Sequence, residues 1–235
     1  MQLVADRFVV RDGESGRACD LASGSDVVLV VGTAGGVSDQ LRWTDRCSAL
    51  RALQHHSIAP LVDFGLLGEG SRFEAWSCGP AWAGAAQVSA STRDRVKQFV
   101  NAAGLSSGEL ADGCVRTSDE GTARVLPEPG MGYPREPDDG AAEMPLRLRG
   151  LGLIERRAVS ALSEMFHDAG GCRSSVAALC GPPGSGKRIV VRELARIARM
   201  RGFVPVASRL VASRYSELWR GRSLLVLGDE ADSHR

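Results

Sequence analysis

Residues 181–188 read Gly-Pro-Pro-Gly-Ser-Gly-Lys-Arg, and no other run in the 235-residue chain constrains its fold so tightly. Three glycines and two prolines exclude a helix or strand interior there. The run fits the phosphate-binding pattern G-x-x-x-x-G-K-[ST] at every position except the last. Its glycines tolerate positive φ and leave backbone N–H groups free to converge on an anion. The flanks fit the same reading. Ser175 to Cys180 is a short apolar run, expected as a buried strand, and Arg188 to Arg201 is expected as a helix. The N-terminus of that helix adds partial positive charge at the loop. Lys187 supplies a point charge for the outer phosphates; it is one of two lysines, the other being Lys97. Gly181, Pro182, Pro183, Gly184, Ser185, Gly186, Lys187, Arg188 and Ile189 are the candidate nucleotide-binding residues.

The last position of the pattern normally carries a hydroxyl that ligates Mg²⁺. Here it is Arg188, a permanent cation with no acceptor. Two arrangements remain open. Waters and an acidic residue could hold Mg²⁺, or Arg188 could itself contact a phosphate. A nucleotide site whose metal chemistry departs from the pattern is the expectation.

A chain of this length holds one large domain or two small ones. Apolar content of 43% and charged content of 24% are those of an ordinary globular protein. Six cysteines occur without a C-x-x-C pair, so no zinc spacing is present. His55, His56, His167 and His234 form no H-E-x-x-H. Met1 to Val10 does not read as a secretory signal and no apolar run has the length of a membrane span. A cytoplasmic protein with reduced thiols and no membrane partner is expected.

Three regions are visible. Residues 1–105 open with β-rich runs at Arg7–Val10 and Val27–Val31. A helix follows from about Ser38 to Gln54, with Trp43, Cys47, Leu50 and Leu53 on one face. Strands are expected at Ala59–Phe64 and Arg72–Trp76, and a helix at Thr92–Ala103 that ends at Gly104. Trp76 and Trp82 read as packing residues. Residues 106–146 are rich in Pro and Gly and read as a linker, with room for a small hairpin around Cys114–Leu126. Residues 147–235 are basic: from Arg147 to Arg222 there are 15 Lys and Arg against 5 Asp and Glu. That region opens with a helix from Arg156 to Ala169 and continues with strands at Phe203–Ala207 and Ser223–Leu227. Strand–helix–strand alternation indicates a parallel sheet. Arg188, Arg192, Arg196 and Arg199 form a stripe that reads as a solvated helix face or a nucleic-acid contact.

Four apolar residues, Leu224 to Leu227, run through Gly228 into Asp229 and Glu230. A carboxylate at a strand end near a phosphate loop is what Mg²⁺ needs, directly or through water. Asp229 is the candidate metal ligand and Glu230 the candidate base for an attacking water. With CGPPGSGKR, LLVLGDE and the preceding helix, residues 150–235 resemble the start of a P-loop ATPase of the AAA+ or STAND signalling kind. The resemblance implies ATP between the loop and the acidic strand, with Leu151, Leu153 and Ile154 near the adenine. It also implies a sensor strand, a helical lid and an arginine finger. Five residues follow Glu230, so the sheet is expected to be incomplete and the chain a fragment of a longer regulator.

The runs DLASGSDVVLVVG and RCSALRALQHHSIAPLVDFG resemble the small lobe of a bacterial Ser/Thr protein kinase. Val30 stands where that family has its lysine, and Arg46 where it has the glutamate that pairs with it. No H-R-D-x-x-x-x-N follows, and Asp63-Phe64-Gly65 lies directly after the helix, so it reads as a strand-end turn. The resemblance implies a lobe that docks a protein partner without phosphotransfer. The pairing of lobe and ATPase resembles bacterial Fis-type, helix-turn-helix transcriptional regulators, which implies DNA contact only through a C-terminal part absent here.

The fold class expected is therefore α/β: an N-terminal α+β lobe over 1–105, a linker over 106–146, and an incomplete parallel P-loop sheet over 147–235. The function expected is an ATP-binding regulatory protein with nucleotide-dependent switching and possible ATPase activity. The alternatives are an interaction module with a vestigial loop, and a small-molecule kinase, which Arg188 disfavours.

Overall fold

The structure, a computed structural model, describes residues 1–10, 16–54, 58–68, 70–77, 89–102, 114–117, 123–126, 147–148, 153–168 and 175–228. In chain order the strands and helices are β1 (Gln2–Val4), β2 (Phe8–Val10), β3 (Arg17–Asp20), β4 (Ser25–Thr33), α1 (Val37–Ala52), β5 (Leu53–Gln54), β6 (Leu61–Leu67) and β7 (Ser71–Ser77). Then come α2 (Ala90–Ala102), β8 (Val115–Thr117), β9 (Ala123–Val125), β10 (Arg147–Leu148), α3 (Leu153–Asp168), α4 (Lys187–Met200), β11 (Val204–Ala207) and β12 (Leu224–Leu227). The fold is mixed α/β. The chain divides into two compact units, Met1–Ser25 with Gly150–Arg235, and Asp26–Arg149.

In the first unit β1, β2 and β3 form an antiparallel meander. Ala5 and Asp6 both take positive φ, 50° and 52°, and Arg7 N–H closes their turn on the Val4 carbonyl at 3.2 Å. Two central residues at positive φ match the right-handed twist of a hairpin. The turn delivers Arg7 into the interior, where it meets Asp20. Arg7 Nε donates to Asp20 Oδ1 at 2.7 Å and Nη2 to Oδ2 at 3.0 Å, with both residues buried. Asp20 also accepts from Ala22 N–H at 3.1 Å and Ser23 Oγ at 2.8 Å, so the carboxylate is well satisfied.

The meander covers the C-terminal part of the same unit. Val9, Cys19 and Leu21 pack with Val204 and Val206 of β11 and with Tyr215 and Trp219. Ala207 N–H donates to the Leu21 carbonyl at 2.7 Å. Arg209 donates to the Ser23 carbonyl. Its guanidinium would lie 2.6 Å from a Cβ on Gly24, which has φ +65°. Strands β11 and β12 pair in parallel, from Val204 opposite Leu224 to Ala207 opposite Leu227.

Helices α3 and α4 lie side by side. Val159 of α3 packs against Val190 and Leu194 of α4, with Leu162, Phe166 and Ile197 around them. Glu155, at the start of α3, meets Gly186, at the start of α4. Ser163, farther along α3, accepts at 2.8 Å from Arg201 just beyond α4. The two helices therefore run in the same direction.

One expectation is corrected here. Ser175–Cys180 is not a buried strand: among the described residues it pairs with no strand, and Val176 is 96% exposed. Leu179 alone in this segment is half-buried, against the α3–α4 cluster. A third parallel strand beside a two-stranded pair would gain one ladder while leaving an apolar face open. That gain does not offset the ~1–2 kcal/mol of backbone entropy lost per residue fixed. The half-exposed Val226 of β12 is the matching uncovered surface. Among the described residues a parallel pair is present, and a loop-bearing parallel sheet is not.

In the second unit β4, β7 and β6 form an antiparallel sheet in that spatial order. Helix α1 buries Trp43, Cys47 and Leu50, the face its spacing predicts. Ile58, Ala59, Leu61, Trp76, and Val96 and Val100 of α2 complete this core. So do Cys114, Val115 and Val125, because β8 and β9 form a hairpin within the Pro- and Gly-rich stretch. The two-residue strands β5 and β10 pair, Leu53 opposite Leu148. His55, His56, Trp82, Gly104 and Leu151 lie outside the described residues.

Removing one partner of a buried pair takes away the opposite charge that compensates the other. Asp20→Ala is expected to lower unfolding free energy by about 3–5 kcal/mol, read by urea titration. A change under about 1 kcal/mol would show that the Arg7 pair is not a structural requirement.

Candidate functional site

The candidate phosphate loop leads directly into α4. Gly184 has φ +79°, and Gly186, the residue that caps α4, has φ +85° and ψ +6°. Both angles are glycine territory. Ser185 N–H closes a turn on the Pro182 carbonyl at 3.2 Å. A Cβ on Gly181 would lie 2.7 Å from Ser185 Oγ, so a side chain there would make the Ser185 hydroxyl turn aside. Ile189 and Val190 N–H donate to the Gly186 carbonyl at 2.9 and 3.1 Å, which opens the helical ladder. The N–H groups of Lys187 and Arg188 precede it and point out of the helix end, where the dipole is positive.

Lys187 folds over this loop. Its Nζ donates to the carbonyls of Gly181 at 2.5 Å and Pro182 at 2.9 Å. Residues 181–185 and Arg188 are exposed and Ile189 is half-buried. Residues 181–186 thus form a loop and Lys187–Ile189 the first turn of α4, with backbone donors at the helix start beside an ammonium that is held by two loop carbonyls. That donor set fits a polyphosphate. Asp229 and Glu230 lie outside the described residues. Among the described residues no group of three His, Cys, Asp or Glu could hold a metal.

One neighbour of the loop was not legible as such. Glu155, in the first turn of α3, brings Oε1 to 2.7 Å from where a Cβ of Gly186 would stand. The signal in the sequence is slight: an acid right after the apolar run Leu151–Ile154.

The second unit holds the other cluster of charge. Val30 lies opposite Glu74 in the β4–β7 register. Glu74 is 3% exposed, and its Oε1 accepts from Trp43 Nε1 at 2.8 Å and from Arg46 Nη1 at 3.1 Å. An arginine on the helix and a carboxylate on the sheet therefore make the ion pair that ties α1 down. Arg72 stacks over the Trp43 ring at 5.1 Å, and Phe64 meets that ring edge-on at 5.5 Å. Burial, with the Glu74 charge beside it, pushes the Cys47 thiol far up, so it stays protonated. The sequence flagged Arg46 but missed Glu74, whose signal is a lone charge between Phe73 and Ala75 on a strand.

The arginine stripe of α4 is partly neutralised. Arg196 donates to Glu193 at 2.6 and 3.0 Å and to Met200 Sδ at 2.8 Å, and Arg192 and Arg199 are engaged as well. No described helix is long and apolar enough to cross a membrane. No known protein-family model matches this chain, and no curated protein matches it.

The Arg46–Glu74 pair makes a sharp expectation for the second unit. Glu74→Ala should cost about 3–5 kcal/mol of stability, because the buried Arg46 loses the carboxylate that compensates its charge. The double variant Arg46→Met/Glu74→Leu should recover most of that loss in the same urea titration. Equal losses in the single and double variants would contradict an ion-pair origin.

Proposed function

We propose that this chain is an ATP-binding regulatory protein. The observation that carries the reading is the loop at 181–188. Two glycines at positive φ, an uncapped helix end and Lys187 are gathered on one turn. The donors of such a turn match the β- and γ-phosphates of a nucleotide. The resemblance to P-loop ATPases of the AAA+ or STAND kind supports the same reading. In it, Gly181 to Ile189 hold the phosphates, Asp229 holds Mg²⁺ and Glu230 orients water. Bound Mg²⁺ would neutralise phosphate charge. Arg188 cannot ligate it, and its guanidinium supplies part of that neutralisation instead.

The second unit is, in this reading, a kinase-like docking lobe without phosphotransfer. The run of β4, α1, β6 and β7 supports this. So does Val30 at the lysine position, with Arg46 and Glu74 as the ion pair. A basic residue now sits on the helix and the acid on the sheet, so the lysine that would contact nucleotide phosphates has no counterpart there. Switching by nucleotide therefore belongs to the first unit and partner docking to the second.

Titration calorimetry with ATP, with and without Mg²⁺, tests the nucleotide site. Wild type is expected to bind, and Lys187→Ala to lose at least about tenfold in affinity (~1.4 kcal/mol) with an unchanged circular dichroism spectrum. Equal binding by the variant would remove Lys187 from the site. No binding by wild type would leave the docking lobe as the chain's function.

A further inference from the structure

We infer that Glu155 is a built-in competitor for the phosphate site, an autoinhibitory anion that a nucleotide must displace. The inference rests on the nucleotide reading above and adds how that site is regulated.

Helix α4 starts badly by its own electrostatics. Its cap is Gly186, with no side-chain hydrogen bond, and its first turn contains no acid. Its first two residues are Lys187 and Arg188, two cations at the positive end of the helix dipole. An anion there is strongly favoured, and helix α3 provides one. Because α3 and α4 run parallel, both positive ends come to the same place, and Glu155 stands in the first turn of α3. Its Oε1, Cγ and Cδ lie 2.7, 3.1 and 3.3 Å from the position a Gly186 Cβ would take. The carboxylate is thus pressed against the backbone that opens α4, on a glycine that alone permits the approach.

A phosphate and this carboxylate seek the same thing, positive charge at the start of α4. They cannot share it closely, since two anions a few ångströms apart repel. Entry of a polyphosphate therefore requires Glu155 to swing away from Gly186. Affinity is set by the exchange of one anion for another, which weakens binding relative to a loop without the carboxylate. Occupancy of the site is in turn reported to α3 through the release of its first turn.

The test is calorimetric titration of inorganic pyrophosphate and of ATP, without Mg²⁺, into the full chain and three variants. Glu155→Gln keeps the size and removes the charge. Glu155→Asp keeps the charge but is one methylene shorter. Glu164→Gln removes the same charge from an exposed position farther along α3. Glu155→Gln is expected to bind both ligands about tenfold more tightly than wild type. Glu164→Gln is expected to match wild type, which separates a local effect from net charge. Affinity equal to or below that of wild type in Glu155→Gln, with wild type binding, would overturn the competitor and leave the nucleotide site standing. Absence of binding in every protein would overturn both. If Glu155→Gln does not fold, Glu155→Asp decides: tighter binding supports displacement, and unchanged or weaker binding overturns it.

Discussion

Helix α4 begins with two cations at its own positive end, and the first unit is arranged around that electrostatic liability. The loop before it supplies glycines that let backbone turn sharply at Gly184 and Gly186. Lys187 leans back onto the Gly181 and Pro182 carbonyls, which draws its charge off the helix axis. Helix α3 lies parallel to α4 and places Glu155 against the same turn. Parallel neighbours align their dipoles unfavourably, so the α3–α4 pair relies on apolar packing around Val159, Val190 and Leu194. A cation-rich helix end held in place by hydrophobic contacts is a natural receptor for an anion.

The same rule, that a charge kept from water must be answered nearby, organises the rest of both units. Arg7 and Asp20 satisfy one another inside the first unit, where the meander closes over β11. Arg46 and Glu74 pair inside the second through Glu74 Oε1, with Trp43 as a third partner, while Glu74 Oε2 is buried without a hydrogen bond among the described residues. Buried pairs of this kind contribute little net stability, but they fix a geometry, because any other register strands a charge. In the second unit the pair anchors α1 to the sheet beside Val30, so the helix position does not depend on a lysine from β4.

Much of this was legible in the sequence. Local patterns sufficed for α1, α2, α3 and α4, for β7, and for β11 and β12, since helical spacing and short apolar runs are set by neighbours in the chain. The hairpin at 115–125 was readable from its turn-rich flanks, but its place in the core was not, because Val115 and Val125 gain their burial from α2 and α1. The run 175–180 misled for the opposite reason. Its residues have strand composition, yet a strand needs a partner and cover, and neither is in the sequence of the strand itself. Glu155 and Glu74 were invisible as site residues, since each acquires its meaning from an element far along the chain. The partnership of the first 25 residues with β11 is a tertiary fact of the same sort.

The central claim is that 181–188 is a working nucleotide loop, and amide hydrogen exchange of the full chain with saturating ATP tests it most directly. Protection should appear at the N–H groups of Gly184 to Arg188, which would then donate to phosphate. Unchanged exchange across this segment under saturating ATP would contradict the claim, and the loop would then be a turn without a ligand.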